Sequence, residues 1–405
     1  MNKSKKQNWK RVFFTIWTGQ AISLITSAVL QMAIVWHLTE TTCSAMVLSI
    51  ATMVGFLPQA ILGSMIGVLV DRWNRKAVMI GADIMIALAA AVMAIWTFFQ
   101  PLPIWTIMLI LFIRSIGTAF HSPALNAVTP LIVPEDKLAK CAGYSQSIQS
   151  ASFILSPAIA AIIFANWGLN AAVGLDILGA LLACITVFAV SIPKQQKSAQ
   201  NQNNFLEEFK DGYGTIKRNK GLYALLWIGV LYCLAFMPIN ALFPLFCMNY
   251  FGTTTTGASV VETLFAIGML GGSLLLGTWG GFKRRTINIS CSIFIMGAAL
   301  AVSGALPSSA FAVFAVCCTF MGLSAPFYNG ILLALIQESI EPEYLGRIFG
   351  LLGSMMSLAM PIGLIFSGIF ADRIGVNLWF FFSGIFVILI AVLSVSLPSI
   401  KNLEK

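Results

Sequence analysis

The sequence predicts an all-α polytopic membrane protein with 12 transmembrane helices in two six-helix halves that follow one another along the chain. Three observations carry the prediction: 58% hydrophobic against 10% charged residues, apolar runs of membrane-spanning length, and a one-sided distribution of lysine and arginine. Soluble domains carry about 25% charged residues, so this chain folds in lipid. A hydrocarbon core needs about 20 residues of helix. Apolar runs of that order lie at roughly 12–38, 46–70, 77–99, 104–128, 142–165, 170–191, 221–246, 257–281, 286–305, 309–334, 346–370 and 376–398, each long enough to cross.

The first run follows a basic start, as a secretory signal would, but it is too long and lacks a small-x-small cleavage site. It reads as the first span. With the N-terminus in the cytoplasm, Lys3, Lys5, Lys6, Lys10 and Arg11 fall inside, as do Arg72, Arg75 and Lys76 after span two and Lys137 and Lys140 after span four. Spans five and six turn at the uncharged external loop Asn166–Leu169, as spans three and four do at Gln100–Pro103. Of the remaining cations, Lys283, Arg284 and Arg285, Arg347, and Lys401 and Lys405 fall on the same side. Only Arg373 falls outside, and Arg114 lies within span four. Lysine and arginine concentrate in cytoplasmic loops, so both termini are expected in the cytoplasm of a plasma-membrane protein.

Between Ile192 and Gly221 hydrophobicity collapses into the polar stretch Pro193–Asn204. The expected organisation is therefore residues 1–192 as the first half, 193–220 as a cytoplasmic linker and 221–405 as the second half. Within the linker, Phe205–Asn219 has the pattern of a short surface helix, with Phe205, Leu206 and Phe209 toward lipid and Glu207, Glu208 and Lys210 in water. The halves echo one another: Pro134-Glu135, Leu138, Gly143 and Pro157 correspond to Pro342-Glu343, Leu345, Gly350 and Pro361, about 205 residues later. Parallel repeats of this kind hold a transported solute near mid-membrane.

A net charge of +9 could suggest nucleic acid, but the cations lie in twos and threes along loops, as topology and anionic lipid require. No nucleic-acid partner is expected. Eight cysteines show no C-x-x-C spacing and mostly lie in apolar runs, where they pack as small apolar residues. His37 and His121 alone supply too few ligands for a metal centre. Clustered acids or histidines of a membrane enzyme are missing, so neither catalysis nor a cofactor is expected.

Polar side chains inside apolar spans mark function. Gln20, Ser23, Ser27 and Gln31 recur on one helical face of span one, facing a wet cavity or another helix. Gln146 and Gln149 on span five, Asn240 beside Pro238 on span seven and Asn329 beside Tyr328 on span ten complete a candidate substrate path rich in aromatics and poor in fixed charge. Such walls suit a large amphipathic ligand. Asp176 and Glu262 lie in the outer halves of spans six and eight, where each is a candidate proton carrier or a hydrogen-bonded packing acid. Asp83, on the cytoplasmic third of span three, is expected to pair with the loop arginines, and Glu338 lies at an interface. Arg114 near mid-membrane requires water or a partner.

The loop Gly67-Val68-Leu69-Val70-Asp71-Arg72-Trp73-Asn74-Arg75-Lys76 resembles the Gly-x-Leu-x-Asp-Arg-x-Gly-Arg-Lys loop of the major facilitator superfamily. That likeness implies a conformational latch built from Gly67, Asp71, Arg72, Arg75 and Lys76, in which charged groups bond adjacent helix ends and then release. Asn74 replaces the family glycine, and a turn of positive φ is expected there. The counterpart Lys283-Arg284-Arg285 keeps the cations without the acid. Leu111–Ala119 resembles the superfamily's span-four arginine motif, which implies that Arg114 takes part in proton coupling. Ser152–Ala161 is similar to the antiporter motif, with Ser156 and Pro157 at its bend and alanines for glycines.

Ala21–Ala28, Leu111–His121, Pro123–Pro130, Met237–Pro244 and Ala371–Asn377 resemble the Mef macrolide efflux proteins, and the likeness covers nearly the whole chain. It implies a bacterial proton antiporter that exports macrolides such as erythromycin, beside a ribosome-protecting ABC-F protein. A macrolide carries a cationic amino sugar, so one membrane carboxylate could bind proton and drug in turn. Export of another amphipathic drug, or uptake of a solute with protons, are the alternatives on the same fold.

Overall fold

The computed structural model describes residues 9–134, 137–192, 213–214, 216–217, 219–282, 284–340 and 342–401. Among these the protein is helical without a strand: α1 (Trp9–Thr42), α2 (Ala45–Arg72), α3 (Arg75–Phe99), α4 (Ile104–Ile132), α5 and α6 (together Leu138–Phe188), α7 (Lys220–Leu245), α8 (Thr255–Trp279), α9 (Arg285–Ala305), α10 (Phe311–Ser339), α11 (Pro342–Ile374), α12 (Val376–Ser396) and the short α13 (Pro398–Lys401). Helices are the natural solution in lipid because each satisfies its own backbone polar groups. Most of the linker, including much of Phe205–Asn219, lies outside the described residues.

Among the described residues, 11 helical stretches are long and apolar enough to cross a membrane. One of them, Ser147–Phe188, has 42 residues, about twice the length a bilayer core requires. It covers two passes because Gly168 breaks it, with φ 70° and ψ −170°. Only glycine adopts that conformation at little cost. The loop expected at Asn166–Leu169 is therefore a single-residue break between two helical legs.

By clustering, the chain forms two units. The first comprises Met1–Thr41 with Ala51–Ala199, and the second Thr42–Ile50 with Gln200–Lys405. In the first, α3 packs on α4 and on the α5–α6 pair. Val12, Ile16, Ile66, Met79, Val128 and Val187 form a buried cluster near the Trp73–Lys76 turn. In the second, α9 packs on α12, α10 on α8, and α11 on α7. Lipid-side positions such as Leu88, Ile95, Ile185 and Leu274 are exposed and apolar, which an aqueous solvent would not permit in such number.

Glycine sets the helix spacing in the second unit. A Cβ added at Gly322 would overlap the Phe265 carbonyl oxygen, and one at Gly268 or Gly272 would overlap the Thr319 or Leu323 carbonyl. Gly268 and Gly272 thus give α8 a G-x-x-x-G face pressed directly on the α10 backbone, the close approach that small residues allow in membranes. Gly304 and Gly384 do the same between α9 and α12.

Beyond α7 the chain winds into a π turn at Phe246–Tyr250, just after Pro244, whose nitrogen has no hydrogen to donate to the helix ladder. Phe246 there is fully buried, against Phe251, Phe314 and Phe380 at centroid distances of 4.9, 5.0 and 4.1 Å.

Candidate functional site

The first unit encloses two polar networks whose members come from four helices. In one, Asp176 on α6 forms an ion pair with Arg114 on α4, and Ser27 Oγ on α1 donates to Asp176 Oδ1 at 2.6 Å. Asp176 is completely buried and Arg114 nearly so. A charge buried in lipid demands such pairing, so the arginine and the acid meet each other's need for a counter-ion. Ser27 satisfies a further lone pair.

In the other network, Gln20 Nε2 on α1 donates to Asp83 Oδ2 at 3.3 Å, and His121 Nε2 on α4 lies 3.4 Å from Asp83 Oδ1. That approach is close enough for charge attraction, but His121 Nε2 is buried without an aligned hydrogen bond. Among the described residues Asp83 therefore faces Gln20 and His121, where its place in the sequence suggested the loop arginines. Its position on α3 turns it inward to α1 and α4. The two acids sit within Coulombic reach of one another.

The polar face of α1 divides accordingly. Gln20 and Ser27 are bonded to buried acids of their own unit, while Ser23 and Gln31 are half-buried. Ser156 on α5 is buried beside Pro157 and donates to the Ile25 carbonyl at 3.4 Å, so the bend rests against α1. Gln149, Asn240 and Asn329 are exposed. The side chain of Gln146 lies outside the described residues, as do those of Gly67, Asp71 and Arg72.

At the α2–α3 turn, Arg75 is buried and its Nη1 donates to the Ala127 carbonyl on α4 at 2.9 Å. Lys76 Nζ donates to the carbonyls of Phe188 and Val190 at 2.8 and 2.6 Å. These are the last carbonyls of α6, where a helix C-terminus carries partial negative charge. Asn74 does not adopt positive φ. At φ −70° and ψ 103° it is the N-cap of α3, and its Oδ1 accepts from the amides of Lys76 and Ala77. Asparagine serves here as a capping acceptor rather than as a substitute for glycine's freedom.

The second unit differs. Glu262 on α8 is half-buried, and its buried Oε2 has no hydrogen-bond partner among the described residues. Cys247 and Cys318 lie beside it. Elsewhere on α7 and α10, Tyr232 and Tyr328 pack at 4.7 Å, and the Tyr328 hydroxyl likewise has no partner among the described residues. Glu338 is exposed and pairs with Arg285. Sequence reasoning passed over His121, read only as a scarce metal ligand, and Asp372, which accepts three hydrogen bonds at the start of α2. The signal for His121 was its place four residues beyond Gly117 on the face that carries Arg114. Among the described residues no cluster of histidine, cysteine, aspartate or glutamate could hold a metal ion.

The geometry agrees with comparison to known proteins. The model of the Major Facilitator Superfamily matches residues 16–252 and 225–403. The chain belongs to the major facilitator superfamily. It is accordingly a multi-pass membrane transporter and not an enzyme. It is 57% identical over 401 residues to macrolide efflux protein A of Streptococcus pyogenes, covering 99% of each chain. With the protein of the same name from Enterococcus faecalis it shares 57% identity over 322 residues, 79% of this chain and 99% of that one. Among solved structures, a bacterial homolog of the human lysosomal transporter Spinster, inward-facing and occupied, superposes with a TM-score of 0.75 at 13% identity, covering 97% of both chains. The fold of this superfamily member is thus shared far beyond its sequence relatives.

Proposed function

We propose that this protein exports macrolide antibiotics of the erythromycin type across the bacterial plasma membrane in exchange for protons, with both termini in the cytoplasm. The observation that carries the substrate is the 57% identity to macrolide efflux protein A, extending over 99% of both chains. Exchange with protons needs a carboxyl that can take up and give back a proton. Glu262 suits that role because the charged form has no hydrogen-bond donor on Oε2 to hold it. Asp176 is engaged by Arg114 and Ser27, and we assign this triad the task of holding α1, α4 and α6 in register while the drug passes.

In this reading the exposed amides Gln149, Asn240 and Asn329 supply uncharged hydrogen bonding along the path, and a cationic amino sugar is balanced by the carboxylate that has lost its proton. The Gly67–Lys76 loop acts as the latch, with Arg75 and Lys76 anchoring it to helix ends and Asp71 as the part that lets go. Work beside an ABC-F ribosome-protecting protein belongs to the same proposal: export lowers the drug concentration against which that protein acts.

The test is erythromycin accumulation in susceptible bacteria that express the protein. Energised cells should hold less drug than controls, and a protonophore should remove the difference. Equal accumulation with and without expression would reject the substrate, and protonophore-insensitive efflux would reject the coupling. Asp71→Asn should arrive in the membrane at normal abundance and export poorly.

A further inference from the structure

The turn that starts α2 is held by a carboxylate more than three hundred residues away in sequence. A helix leaves its first amide groups without partners, and a nearby Ser or Asp normally supplies the acceptor. Here Ser44 Oγ accepts from the Val47 amide at 3.4 Å, and Asp372, near the end of α11, takes the two amides before it. Its Oδ1 accepts from the Ala45 amide at 2.6 Å, and its Oδ2 from the Met46 amide at 3.1 Å and from Ser44 Oγ at 2.8 Å. Two backbone N–H groups at the positively polarised start of α2 meet one full negative charge, and such bonds are about twice as strong as neutral ones.

Three further observations give the contact its character. Asp372 is exposed, so water competes for it and the bonds can break and re-form. One turn deeper, Ser49 Oγ and Ser367 Oγ lie 3.0 Å apart and buried, and Gly368 leaves room for Met46 and Ser49 where a Cβ would sit 2.9 Å from Met46 Sδ. The seam is therefore close-packed, with Met46 seated over Gly368 and a buried serine pair beside it. Finally, the stretch joined by these bonds, Thr42–Ile50, clusters with the second unit, while α2 from Ala51 onward clusters with the first. Cys43, in the turn itself, has φ 48°, the one positive value among described non-glycine residues.

We propose that Asp372 is a releasable latch at the end of α2 away from Asp71, made in one transport state and broken in the other. The inference rests on the reading of the chain as a drug exporter only for its transport readout. α2 then has Asp372 received at its N-terminal end, opposite the end where the Gly67–Lys76 loop is proposed as a latch. Alternation follows if the two are not engaged together.

The native Cys43 reports on this turn, since it is exposed, and Cys291→Ser removes the other exposed cysteine among the described residues. In membranes from cells carrying that background, the rate of Cys43 modification by a hydrophilic maleimide is measured with and without erythromycin. Asp372→Asn should raise the rate about tenfold, the order expected for loss of charge-assisted bonding, make it insensitive to drug, and reduce efflux at normal abundance. Asp372→Glu should restore part of both. Ser44→Ala, which keeps the two backbone donors, should give an intermediate rate and decides the matter if Asp372→Asn fails to insert. Parental labelling rates in these variants, or wild-type efflux by abundant Asp372→Asn, would overturn the latch. Faster labelling in Asp372→Asn combined with no drug response in the parent would sustain the latch and count against erythromycin as the substrate.

Discussion

The two units treat buried acid in opposite ways. In the first, Asp176 is neutralised by Arg114 and bonded by Ser27, and Asp83 faces Gln20 and His121. In the second, Glu262 buries an oxygen that has no hydrogen-bond partner among the described residues, with Cys247 and Cys318 near it. The difference teaches that a carboxyl in a membrane can serve as a fastener or as a titrating group, and that its partners decide which. An acid enclosed by donors is fixed in charge and place. One without donors changes charge at the least cost in broken contacts.

Removing Glu262, the proposed titrating group, should have the largest effect. Glu262→Gln should abolish uphill efflux while retaining downhill exchange of drug, measured in vesicles with an imposed pH gradient. An abundant Glu262→Gln variant that still pumps uphill would collapse the contrast, and Asp176→Asn would then be the variant to examine. Breaking the fastener comes next. Arg114→Ala leaves Asp176 buried and unpaired, at about 3–5 kcal/mol for a broken buried pair, so both abundance and efflux should fall. Arg114→Lys keeps the charge without the planar fork and should fall less.

Two smaller effects sharpen the comparison further. Gly322→Val should lower thermal stability by about 1–3 kcal/mol, the usual cost of overpacking, because the Phe265 carbonyl already occupies the space. Its surviving molecules should keep the wild-type dependence on pH gradient, unlike Glu262→Gln. Gln20→Ala removes one hydrogen bond from Asp83 and should cost about 1 kcal/mol, visible as a modest shift in melting temperature with efflux largely intact.

The spans were legible because lipid imposes a simple rule on length and composition, and Arg114 was legible as a group in need of a partner. Its partner was not. Asp176 lies 62 residues away, and nothing local in either sequence stretch says that α4 and α6 meet at that height. The contacts of Asp83 with α1 and α4 were hidden for the related reason that nearness along the chain points to the loop arginines instead. Asn74 shows another limit: its residue type fits a left-handed turn and a helix cap equally well, and only the backbone angles distinguish them. Gly168 was hidden inside an expected loop because a one-residue break requires a particular pair of dihedrals rather than a particular composition. Asp372 stands at a helix end, where an acid ordinarily means contact with water.

The glycine seams of α8 on α10 and α9 on α12 bear on how such a protein can change over generations of drug exposure. Where main chain rests on main chain, no side chain is available to be exchanged for another. A substitution at Gly268, Gly272, Gly304, Gly322 or Gly384 is felt as damage to the whole unit, not as a new preference for one drug over another. Variants selected for altered resistance profiles should therefore leave these five positions untouched and collect on the other faces of the same helices.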